Sequence, residues 1–64
     1  MYNAAVSAEA AIALEEQKAQ VMGANDVESN LFAAIRKALW ARKISAAEAV
    51  RRARAVVAGK QDYR

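Results

Sequence analysis

Proline is absent from this sequence and glycine occurs twice, so only Gly23 and Gly59 punctuate a chain in which eighteen residues are alanine. Such a chain is expected to be all-α. Each glycine is placed to take the left-handed conformation just past a helix, Gly23 after Met22 and Gly59 after Ala58. Starts are marked as well: Asn25 with Glu28, and Ser45 with Glu48, fit the capping box. These signals predict helices over 4–22, 26–43 and 46–58, a single domain over 1–58 and a short flexible tail over 59–64. The link Ile44-Ser45 forces the second and third helices into a corner or hairpin. A continuous bent helix through Ile44 is the alternative, because neither glycine nor proline stops the second helix there.

A domain of 64 residues buries only about 60% of the surface its unfolded chain exposes. Disulfides and transition-metal sites, the usual reinforcements, have no ligands here, since Cys and His are both missing. Half of the apolar residues are alanines, which bury little area. Self-association into a helical dimer or higher oligomer is the remaining route to stability.

Periodicity assigns faces to the helices. On the first, Val6, Ala10, Ala13, Leu14, Gln17 and Val21 form the expected core stripe. Ala5, Ala8, Ile12 and Ala19 make a second, weaker apolar side, read as a candidate subunit contact or as a tolerated exposed isoleucine. The second helix carries Val27, Leu31, Ala34, Ile35, Ala38 and Leu39, with Phe32 at the margin. Ala46, Ala49, Val50, Ala53, Val56 and Val57 line the third, with Arg51, Arg52 and Arg54 away from them. Trp40, the only tryptophan, falls outside the second helix's stripe beside Arg36 and Lys43. It is therefore expected either in a subunit interface or exposed among cations.

Charge is unevenly divided. Residues 1–32 hold Lys18 against five acids, a balance of −4, and residues 33–64 hold nine cations against Glu48 and Asp62, a balance of +7. Such asymmetry suits an acidic partner, or an antiparallel self-pairing of acidic and basic helices. Arg36, Lys37, Trp40, Lys43, Arg51, Arg52 and Arg54 form the candidate nucleic-acid or partner surface. Its sharpest version is a helix-turn-helix with Arg51 or Arg52 reaching bases. The glycine common in that turn is missing, and Glu48 would put a negative charge near the groove.

Catalytic chemistry finds little footing. Ser7, Ser29 and Ser45 have no histidine to activate them, and Glu15 and Glu16, adjacent on a helix, point to different sides and read as a solvated face. GANDVE offers only a fragment of a calcium loop, and no glycine-rich phosphate cradle occurs. No enzyme, cofactor or small-molecule substrate is expected. No basic region precedes an apolar stretch at the N-terminus and no run reaches the ~18 apolar residues of a membrane span, so a soluble, cytoplasmic protein without membrane contact is expected. The Ala- and Arg-rich composition suits a bacterial gene. The sequence reads as a small non-catalytic helical interaction protein that self-associates and binds a macromolecular partner; the alternative is a nucleic-acid-binding regulator using the basic surface of helices 2 and 3.

Overall fold

The computed structural model describes the backbone of residues 3–62 and the side chains of residues 3–60. Three α-helices, α1 (Ala4–Val21), α2 (Asp26–Trp40) and α3 (Ala46–Asp62), make an all-α bundle, with no strand among the described residues. Short links make sequential helices antiparallel neighbours. Arg36 near the end of α2 accordingly meets Glu9 near the start of α1, and Glu28 near the start of α2 meets Lys60 near the end of α3.

Each helix end has a local cause. α1 begins where the Asn3 carboxamide accepts the N–H groups of Ala5 and Val6 at 3.0 and 3.3 Å. It ends where Gly23 takes φ 82° and donates its N–H to the Gln20 carbonyl at 3.0 Å. The capping box at α2 is complete: Asn25 accepts the Glu28 N–H at 2.9 Å and the Glu28 carboxylate accepts the Asn25 N–H at 2.9 Å. At α3 only half of the expected box forms. Ser45 accepts the Glu48 N–H at 3.0 Å, while the Glu48 carboxylate turns to Arg51 and Arg52.

Two expected boundaries are corrected. α2 stops at Trp40 rather than 43, because Arg42 takes φ 60°. Its N–H reaches the Leu39 carbonyl at 3.1 Å and the Lys43 N–H reaches the Ala38 carbonyl at 2.9 Å. Those paired bonds are a Schellman motif with arginine where glycine is usual. Helices 2 and 3 are thus separate, and the bent-helix alternative falls. Conversely, α3 runs through Gly59, which has no positive φ, as far as Asp62. Positions 63 and 64 of the expected flexible tail lie outside the described residues.

The core joins Ala8, Ile12 and Ala19 of α1 to Phe32, Ile35 and Leu39 of α2 and Ala49, Ala53 and Val57 of α3. The face expected to be buried on α1 is therefore reversed: Val6, Leu14 and Val21 are exposed, and the alanine-lined side faces inward. Small side chains explain the reversal. Small buried side chains on both helices, Ala8 and Ala19 on α1 and Ala49 and Ala53 on α3, let α1 lie close on α3, the most extensive of the three helix contacts. Helix separation is set by the side chains at the contact, and Leu14 or Val6 there would hold the pair apart. Ile12 and Phe32, both fully buried, fill the space that remains.

On α2 the burial centre shifts toward Phe32, the largest buried side chain, leaving Val27 and Leu31 exposed and Ile35 and Leu39 inside. The face expected on α3 is the one it buries. Ala5, Ala8, Ile12 and Ala19 are corrected as a subunit contact, because they belong to or pack against this chain's own core. No helix among the described residues is long and apolar enough to cross a membrane.

Candidate interaction surface

Turning the alanine side of α1 inward turns its other stripe outward. Successive residues of an α-helix are about 100° apart, which puts Val6, Ala10, Ala13, Leu14, Gln17 and Val21 on one side, with Ser7 and Gln20 at its edges. All of them are exposed. Val6 is 56% exposed, Leu14 53% and Val21 85%. None carries a charge, although 27% of the chain is charged. The acids of α1 all point elsewhere. Glu9 and Glu16 face α2, and Glu15 is buried with one oxygen 3.2 Å from the Lys18 ammonium. The solvated face expected for Glu15 and Glu16 is thus corrected for both.

Beside this stripe runs a polar seam between α1 and α2. Glu9 and Glu16, seven residues apart, lie two turns apart on one line of α1, while Arg36 and Trp40 are one turn apart on α2. The Arg36 guanidinium bridges both acids, Nε to Glu9 at 2.6 Å and Nη2 to Glu16 at 2.7 Å. The other Glu9 oxygen accepts the Trp40 indole N–H at 3.0 Å. Burial raises the Glu9 pKa, but the hydrogen bonds from Trp40 and Arg36 and the Arg36 charge outweigh it, holding the carboxyl below its ordinary value. Arg36 is pushed up in turn, chiefly by its bonds to Glu16 and Glu9. Trp40 remains 51% exposed, with its polar edge tied down and part of its ring in solvent.

The seven residues expected to form a partner surface are divided by these contacts. Arg36 and Trp40 belong to the seam. Arg51 closes on Glu48 with two bonds, of 2.9 and 2.6 Å, and Arg52 adds a third at 2.8 Å. These bonds and the two positive charges lower the Glu48 pKa to about 2. Lys37, Lys43 and Arg54, together with Arg42, are exposed and make no ion pair among the described residues. Arg42 and Lys43 border a shallow groove with Ala4 and Ala5, placing them beside the start of α1.

Sequence reasoning found the outward stripe by its spacing and misassigned it to the chain's own core. The seam it missed altogether. A signal was present in the seven-residue spacing of Glu9 and Glu16, which matches a cation and an indole one turn apart. No group of three or more Cys, His, Asp or Glu placed to hold a metal occurs among the described residues. Compared with protein-family models, with curated proteins and with solved structures, the chain matches none.

Proposed function

We propose that this chain is a small non-catalytic interaction module that self-associates and engages a macromolecular partner through helix surfaces, the principal one being the outward face of α1. One observation supports this above the rest: a five-turn helix presents Val6, Leu14 and Val21 to solvent on a stripe whose own residues are all uncharged, with Lys18 at its rim. A solvated helix face ordinarily carries charged and polar residues. Contiguous apolar surface of this kind marks interaction sites.

A second reading, binding of nucleic acid or an acidic protein, is favoured by the exposed cations Lys37, Arg42, Lys43 and Arg54, which make no ion pair among the described residues. It is weakened for the helix-turn-helix version, because Arg51 and Arg52 are engaged by Glu48. Sedimentation velocity across a concentration series tests the main reading. The parent is expected to associate reversibly and Leu14→Lys to sediment as a monomer with unchanged helicity. A parent that is monomeric at every concentration and a Leu14→Lys variant indistinguishable from it would contradict self-association through α1.

A further inference from the structure

We infer that the outward face of α1 pairs with the same face of a second copy in antiparallel orientation, with Val6 of each chain packing against Val21 of the other. This rests on the proposed reading of that face as an interaction surface and says what covers it. Three observations carry it.

The stripe is closely symmetric about the point between Ala13 and Leu14. An antiparallel two-fold placed there sets Val6 against Val21, Ala10 against Gln17 and Ala13 against Leu14, and a closed two-fold contact requires this self-complementarity. Each layer then holds one larger side chain against a smaller or equal one, so the two helices can approach evenly along about 22 Å.

Charge is the second. The stripe itself carries no ionised group, and Lys18, four residues on from Leu14, lies at its rim with its side chain 55% exposed, so the centre of the contact avoids the desolvation cost that charges impose.

The third is the polarity of the whole molecule. Arg42 and Lys43, with Lys37 on the last turns of α2, gather at the end where α1 begins, whereas Asp26, with no ion pair among the described residues, lies at the end where α1 finishes. A parallel pair would set two basic ends side by side. An antiparallel pair sets the basic end of each copy toward the Asp26 end of the other, which is complementary.

Cysteine cross-linking tests the register, because the parent has no cysteine and any disulfide is an introduced one. Val6→Cys and Val21→Cys are made separately, mixed in equal amounts and oxidised gently. Both sites are more than half exposed, and circular dichroism confirms that each variant keeps its helices. In the antiparallel pair, positions 6 and 21 are neighbours, while the two copies of position 6 are about 22 Å apart, far beyond the ~4.4–6.8 Å between Cα atoms that a disulfide allows. The mixed 6–21 disulfide is expected to exceed the 6–6 and 21–21 products about tenfold. Adding Leu14→Lys to both variants is expected to remove that excess.

Predominance of 6–6 and 21–21 products would overturn the antiparallel register while leaving the face as an interface. Statistical yields equal to those of the unfolded chains, alongside monomeric sedimentation, would overturn the second copy and the self-association reading together.

Discussion

At the residue scale, two glycines and one arginine show that backbone conformation, rather than residue type, decides what a substitution does. Gly23 has open space around the position a Cβ would take, yet its φ of 82° strains any L side chain. Gly59 has equal space and ordinary helical geometry. Gly59→Ala is therefore expected to stabilise the fold by about 0.5–1 kcal/mol and Gly23→Ala to destabilise it by about 1 kcal/mol. Arg42 reverses the logic. It holds a left-handed conformation that costs roughly 1 kcal/mol outside glycine, so Arg42→Gly should raise the melting temperature by about 4–8 °C. Thermal denaturation of the three variants checks all of this. The sequence marked Gly23 correctly because a capping residue, Asn25, follows it. It hid the stop at Arg42, since nothing in arginine's side chain announces a left-handed backbone.

Core substitutions separate the faces at the same scale. Phe32→Ala should cost about 3–5 kcal/mol and Ile12→Ala about 2–5 kcal/mol, for both side chains are fully buried. Leu31→Ala should cost less than about 1 kcal/mol, because Leu31 is 46% exposed. Denaturant midpoints that ranked Leu31→Ala with Phe32→Ala would contradict the orientation assigned to α2.

At the scale of the element, α1 explains why periodicity alone was insufficient. Two apolar stripes lie on opposite sides of it, and the one with larger side chains looks like the core in isolation. What decides between them is the partner helix: α3 offers Ala49 and Ala53, and alanine against alanine permits the closest approach. That information resides in another element, so no reading of α1 by itself could find it. α3 was legible because its two sides differ plainly, arginines on one and small apolar residues on the other. The seam between α1 and α2 is the other consequence of the rotation. Glu9→Ala removes the acceptor of both the indole and the guanidinium, and should cost about 1 kcal/mol at this partly exposed site while moving Trp40 emission to longer wavelength. Unchanged emission would show that Trp40 is not held by Glu9 in solution.

At the scale of the whole molecule, ion pairs between and within helices link stability to pH. Glu28 is held below its ordinary pKa by the Asn25 N–H and then by Lys60, Glu9 by Trp40 and Arg36 against the opposing effect of burial, and Glu48 by Arg51 and Arg52. A carboxylate with a depressed folded-state pKa stabilises fully above its unfolded value, here 4.5, and loses that contribution as pH falls through the folded value. The melting temperature should thus change little between pH 7 and about 5 and fall from about 4.5 toward 2, with a smaller fall in molar salt. Glu28→Gln should flatten part of that slope, since it removes the tie between the start of α2 and the end of α3.

On the proposed reading, the outward face of α1 supplies to a second copy the burial that a 64-residue chain is short of alone. The most direct test of this is the melting temperature of the parent and of Leu14→Lys as a function of protein concentration. Because association stabilises by mass action, the parent's midpoint should rise with concentration, the variant's should stay flat, and the two should converge at high dilution, where Leu14 faces only water. A flat parent midpoint, or a variant already destabilised at high dilution, would mean that the face is either uncovered or part of the chain's own core.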